Sequence, residues 1–184
     1  MKRFTVLKNT FEDKEIPIHM LKALVGNRLE IEERRECLIF WYSYDKPEDI
    51  DTLFLSLGNE FMVDITGYTS VYPEQRQKQE LSIALDLIEN LPAGMYCLKT
   101  ALLHAKQIDR KKMILDFILE SSGIDYAFIR GFAENNLNVS QASKAMFIHR
   151  NTMNYKLDKL KELSGFDLRS FLDAYVLYQL ATGK

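Results

Sequence analysis

The residues best equipped for chemistry cluster in residues 148–160, IHRNTMNYKLDKL. Arg150 has a planar guanidinium that can bond both O6 and N7 of a guanine, and Asn151 and Asn154 have amides that can pair with N6 and N7 of an adenine. Ser140, Gln141 and Thr152 are short or neutral donors suited to phosphate oxygens. Lys156 and Lys159 would add an attraction that ignores sequence and fades as salt rises. His149 fits either task, and Tyr155 can lay its ring on a sugar-phosphate wall or close a gap between helices. Across residues 139–161, Lys144, Arg150, Lys156, Lys159 and Lys161 face Asp158 alone, a formal +4 in a chain of −2, which leaves −6 for the remainder. Positive charge gathered in one segment of an otherwise acidic protein attracts phosphate locally and keeps the molecule soluble.

Two short helices must hold these side chains. Ser140 is a suitable N-cap for a first helix running to about Phe147, with Ala142, Met146 and Phe147 on its buried side. Ile148 reads as the apolar plug of a tight turn. A second helix starts between His149 and Asn151, either of which can cap it, and Met153, Leu157, Leu160 and Leu163 form its inward stripe. Arg150, Asn151, Asn154, Asp158 and Lys161 are left outside. Helix, tight turn, and a second helix polar at its exposed start describe a helix-turn-helix that would seat in the major groove of double-stranded DNA. Periodicity alone is equally satisfied by an amphipathic helix of an ordinary bundle.

The longer stretch NNLNVSQASKAMFIHRNTMNYKLDKLKELSGFDL, residues 135–168, resembles the C-terminal domain of the purine-catabolism and carbohydrate-diacid regulators, the PucR/CdaR type. The resemblance rests on Asn138, Ala142, Met146, Phe147, Ile148, His149, Arg150, Asn151, Thr152, Met153, Tyr155, Lys156, Leu157, Lys159, Leu160, Leu163, Gly165, Asp167 and Leu168. It implies a sequence-specific transcription regulator in a bacterial cytoplasm, binding DNA as a homodimer and answering to a small-molecule effector. Lys156 stands where the family most often has arginine, which keeps the charge and gives up bidentate geometry. Phe147 stands in a turn where many helix-turn-helix proteins use glycine. Relatives usually carry longer N-terminal sensory regions, often with a degenerate GGDEF-like domain; residues 1–105 are short for that and fit a reduced GGDEF-like relic.

The expected fold class is α+β, with a small N-terminal α/β module over residues 1–105 and an all-α helix-turn-helix domain over residues 106–184. Upstream, RFTVL alternates like a strand, PIHMLKALVG has helical spacing closed by Gly26, and ECLIFWYSY is the best strand candidate. KPEDIDTLFLSLGNEF starts a helix at Pro47 among acids that complement its positive end. MVDITGYTSVY reads as a strand with a bend or bulge at Gly67. EQRQKQELSIALDLIENL, DRKKMILDFILESSG and DYAFIRGFAENN are amphipathic helices; MYCLKTALLHAK fits strand or helix. Glu32, Glu33 and Glu36 with Arg34 and Arg35 read as a solvated face. Alternate members of the aromatic run Phe40, Trp41, Tyr42 and Tyr44, with Tyr68 and Tyr72, should fill a sheet core rather than line a ligand pocket. The C-terminal FDLRSFLDAYVLYQLA places Phe171, Leu172, Tyr175, Val176 and Leu180 at helical spacing, to pack on the helix-turn-helix or, failing that, to form a dimer interface.

No enzyme is expected. P-loop, GxGxxG, GxSxG and HExxH patterns do not occur in the sequence, and the two cysteines, Cys37 and Cys97, form no CxxC. His19, His104 and His149 lack metal-ligand spacing, so neither metal nor cofactor is anticipated. With no signal-like N-terminus and no long apolar run, a membrane role is not expected. The rival reading keeps the helix-turn-helix but turns it to protein contacts, as a non-catalytic dimerisation module; a weaker rival makes the N-terminal module an enzyme or nucleotide binder.

Overall fold

The computed structural model describes residues 2–8, 11–26, 28–44 and 46–183, with Pro47 described by its backbone alone. The chain forms two compact units, residues 1–108 and 109–184. The first contains strands β1 (Lys2–Lys8), β2 (Glu30–Arg34), β3 (Cys37–Ser43), β4 (Thr66–Thr69) and β5 (Gly94–Tyr96), and helices α1 (Glu15–Val25), α2 (Pro47–Phe61), α3 (Glu74–Leu87) and α4 (Leu98–His104). The second is helical: α5 (Lys111–Leu119), α6 (Tyr126–Glu134), α7 (Val139–Ala145), α8 (Arg150–Ser164) and α9 (Phe171–Thr182). This is an α+β chain whose C-terminal part is all helix.

The strands form one sheet in the order β2-β3-β1-β4-β5, antiparallel except for β4 with β5. Strand alternation sends Leu7, Leu38, Phe40 and Tyr42 to one face, where Ile18 and Leu21 of α1 and Ile50, Phe54 and Leu57 of α2 close over them. On the other face Phe4 lies between Trp41 and Tyr68, with ring centroids 5.2 and 6.2 Å away, and α3 covers them. The aromatic run is therefore core: Phe40, Tyr42, Tyr68 and Tyr72 are all buried. Burial drives the Tyr42 hydroxyl up to about 12, so it stays a neutral partner for Thr5 at 2.8 Å.

One expectation is corrected here and two are refined. The charged stretch 32–36 is a solvated face, as read; residues 32–34 belong to the edge strand β2, and Arg35 and Glu36 turn the chain at φ 51° and 62°; charges on an edge discourage pairing with other chains. Gly67 marks no bulge, because Thr5, Val6 and Leu7 pair in unbroken register with Thr69, Tyr68 and Gly67. A Cβ there would run into the end of the Met95 side chain, which would have to move aside. MYCLKTALLHAK is both structures in succession: Met95 and Tyr96 end β5, and Cys97 caps α4 with Thr100 bonding back to its amide at 3.0 Å.

Candidate nucleic-acid interface

Within the second unit, α6 begins at Asp125, whose Oδ1 accepts the Phe128 amide at 2.8 Å. Phe128, Ile129 and Phe132 form its buried side, and Gly131 lets it approach the next turn: a Cβ there would stand 2.8 Å from the Met146 sulfur. Helix α7 is capped by Asn138, and this corrects the expectation for Ser140. The Asn138 Oδ1 accepts the amides of both Ser140 and Gln141, at 2.9 and 3.1 Å. Those two amides are therefore occupied within the protein, while the Ser140 and Gln141 side chains remain exposed.

The turn between α7 and α8 ends the first helix with a pair of backbone bonds, Ile148 N–H to the Ser143 carbonyl at 2.9 Å and Phe147 N–H to the Lys144 carbonyl at 3.3 Å. This double bond pattern requires a left-handed residue at its centre, a place usually held by glycine; Phe147 fills it at φ 54°. Its ring was expected inside and is instead 97% exposed. Ala142 is fully buried, and Met146 and Ile148 are half-buried, so these three plug the turn.

His149 caps α8, its Nδ1 accepting the Asn151 amide at 3.2 Å. An accepting Nδ1 puts the neutral ring's proton on Nε2 as a free donor. Met153, Leu157 and Leu160 have no exposed surface and anchor the helix. Leu163, expected in the same stripe, is 38% exposed, and Ser164 takes the buried place in that turn; at about 100° per residue Leu163 has drifted about 80° round the helix from Met153.

Of the residues singled out for DNA, Ser140, Gln141, His149, Arg150, Asn151, Thr152 and Tyr155 are exposed, and Asn154, Lys156 and Lys159 are half-buried. Arg150, Lys144 and Lys159 have no ion-pair partner among the described residues. Lys156 departs from the expectation: its ammonium bonds the Gly123 carbonyl and stands 5.6 Å from the Phe128 ring centroid, so it staples α8 to the approach of α6. Lys161 pairs with Asp167 at 3.0 Å. Burial would raise the Asp167 carboxyl, but the Arg169 amide and the Lys161 ammonium outweigh it and hold the group below the usual carboxylate value.

Two residues escaped sequence reasoning besides Phe147. Asn138 does the capping, and Arg169 reaches back to α8, bonding Asp158 at 2.8 Å and the Asn154 Oδ1 at 3.4 Å. Arg169 thereby fixes which way the Asn154 amide presents its donors. Its signal was an arginine two residues after Asp167 and four after Gly165, the glycine that ends α8. Farther along α8, Asp158 and Glu162 are exposed on the side that also carries Asn151 and Tyr155. Asp158 is paired there with Arg169, so Glu162 is the carboxylate that would repel a phosphate approaching this side.

The second unit thus holds a helix-turn-helix. Residues 126–181 match the PucR C-terminal helix-turn-helix domain. The Carbohydrate diacid regulator of Escherichia coli (strain K12) is 37% identical over 60 residues, 33% of this chain and 16% of that protein. Uncharacterized protein YxkF of Bacillus subtilis (strain 168) is 42% identical over 50 residues, 27% of this chain and 17% of that one. The chain matches about a sixth of the length of these relatives. The crystal structure of the Regulator of Polyketide Synthase Expression from Bifidobacterium adolescentis is similar in fold, with a TM-score of 0.52 at 16% identity over 99% of this chain and 79% of that one. Among the described residues no helix is long and apolar enough to cross a membrane, and no group of side chains is placed to hold a metal ion.

Proposed function

We propose that the chain acts as a sequence-specific DNA-binding transcription regulator of the PucR/CdaR type, presenting the start of α8 to the major groove. The observation that carries this reading is the first two turns of α8: Arg150, Asn151, Thr152 and Tyr155 are exposed, and the Arg150 charge has no ion-pair partner among the described residues. Arg150, Asn151 and Asn154 read base edges; Ser140, Gln141, Thr152, Tyr155 and Lys159 hold the backbone; His149 offers its Nε2 proton to either. Lys156 contributes through the position of α8, since its ammonium is engaged at Gly123. Function here is binding without chemistry. Selection of duplexes from a random pool tests it: a recovered consensus supports the reading, whereas weak, salt-independent retention on duplex DNA favours the protein-contact module.

Lys159→Ala should weaken binding to every duplex alike and lower the slope of log affinity against log salt by about 1, because one phosphate contact and its released counterion are lost. Titrations across a salt series read this directly. An unchanged slope would remove Lys159 from the interface.

The protein acts as a homodimer in this reading, because one helix-turn-helix buries little DNA and paired half-sites follow from two-fold symmetry. Helix α9 supplies the surface: Phe171, Leu172 and Tyr175 are 72%, 54% and 51% exposed, while Val176 and Leu180 face the core. Phe171 and Tyr175 stack at 6.4 Å beside a hollow of 480 Å³ that Leu137, Ala174 and Tyr178 also line. The double variant Phe171→Ser, Tyr175→Ser should shift the mass in solution toward the monomer without lowering the melting temperature; sedimentation that reports the same species for parent and variant counts against α9. The N-terminal unit is the effector module, a reduced GGDEF-like relic. An effector has a mixed polar and aromatic seat in the hollow of 330 Å³ bordered by Lys2, Arg28 and Trp41.

A further inference from the structure

We infer that Phe147 is a DNA-contacting residue, an apolar finger that lays its ring on the non-polar surface of the duplex beside the bases read from α8. This rests on the proposed DNA reading and extends it to a residue that donates no hydrogen bond.

Two independent observations point to it. The backbone at Phe147 is left-handed, at φ 54°, a conformation in which a bulky side chain is strained and which glycine or asparagine adopts freely. The ring gains nothing in exchange within the protein, being 97% exposed with no ring contact among the described residues. A large apolar side chain kept in a strained, solvated position stabilises nothing in the free chain. Its place along the chain says what it faces. Phe147 stands two residues before the His149 cap and three before Arg150, so its Cα lies within about 7 Å of the cap and the ring reaches the flank of whatever receives the start of α8. Duplex DNA offers apolar surface there in the thymine C5-methyl groups and the faces of the deoxyriboses, and phenylalanine is a known partner of the former.

Chain geometry supplies a matched control. Met62 closes α2 in the same left-handed region, at φ 52°, and is 93% exposed. It shares strain and exposure with Phe147 and lies in the other compact unit.

The test uses the full chain and a duplex selected by the parent protein. Phe147→Asn should bind that duplex about ten-fold more weakly, because apolar area buried in the complex is lost. Its salt dependence should be unchanged, because no phosphate contact goes with it, and its melting temperature should be equal or higher. Phe147→Leu should recover most of the affinity. Met62→Asn should match the parent in affinity and share the gain in melting temperature. Replacing thymine by deoxyuridine separates the two apolar sources: if the parent loses affinity and Phe147→Asn does not, the contact is to methyl groups, and if both are indifferent it is to deoxyribose. Equal affinity of Phe147→Asn and parent overturns the inference while leaving the DNA reading intact, and a fall in melting temperature that accounts for the lost affinity overturns it as well. Recovery of no duplex by the parent overturns both.

Discussion

Replacing Arg150 with alanine is expected to cost about 1–3 kcal/mol of binding to the selected duplex, and to flatten preference at one base pair while others stay sharp. The size follows from what is removed. A guanidinium free of ion-pair partners on an exposed first turn of α8 can give both of its parallel donors to one guanine, and no neighbour on that turn can replace a bidentate fork. Asn151 and Thr152 are shorter, and Lys156 is held at Gly123. Because Arg150 is exposed and has no ion-pair partner among the described residues, the melting temperature should not move. Binding titrations of Arg150→Ala against the selected duplex and its single-base variants read both effects. Equal affinity and an unaltered consensus would take base reading away from Arg150. The contrast with Lys159→Ala is diagnostic, because one variant changes which sequence is bound and the other changes how salt weakens all of them.

The same segment shows how much could be read before any coordinates. Met153, Leu157 and Leu160 follow helical spacing, and spacing is a local property, so the buried side of α8 was legible. The cap of α8 was legible as His149 or Asn151, and the structure selects His149, whose ring nitrogen accepts an amide two residues on. What was misread depends on partners remote in sequence or on backbone conformation. Lys156 was assigned to phosphate on its charge, yet its partner, Gly123, lies 33 residues earlier. Phe147 was assigned to the core because it is apolar; its left-handed backbone turns the side chain out, and no composition rule carries that sign. Ser140 lost the cap to Asn138, two residues upstream, because both are good caps and the turn before α7 decides between them. In the first unit, β3 was evident from its β-branched and aromatic run. Strand β2 was hidden because an edge strand of glutamates and arginines has the same composition as a solvated loop. The α9 residues Phe171, Leu172 and Tyr175 have the spacing of a packed face, and spacing does not say whether the face is covered by the chain itself.

Stability of the first unit is expected to fall as pH rises from about 4.5 to about 7, the ordinary and the native values for Glu80. This carboxyl is fully buried between α3 and the end of β4. It accepts the Tyr68 hydroxyl at 3.0 Å and the amides of Val71 and Tyr72 at 3.1 and 3.4 Å. Burial raises its pKa, and those three donors together with the Arg76 charge recover part of the shift without cancelling it. The sign follows from proton counting. Between the two values the unfolded chain has released the proton and the native state still holds it, so stability is full below about 4.5 and is lost as pH climbs through about 7. At 1.36 kcal/mol per pH unit the loss is about 3 kcal/mol. Asp51, also raised by burial, adds a contribution of the same sign. Tyr68 and Tyr72 are pushed further up from their ordinary value and do not titrate in this range. Trp41 is the single tryptophan of the chain, and it touches Phe4, which stacks on Tyr68, so its fluorescence follows melting of this unit. In Glu80→Gln the midpoint should become nearly flat between pH 5 and 8. A parent whose Trp41 transition is already flat over that range would mean that Glu80 ionises in the fold as readily as in water. The three donors and the Arg76 charge would then balance the burial.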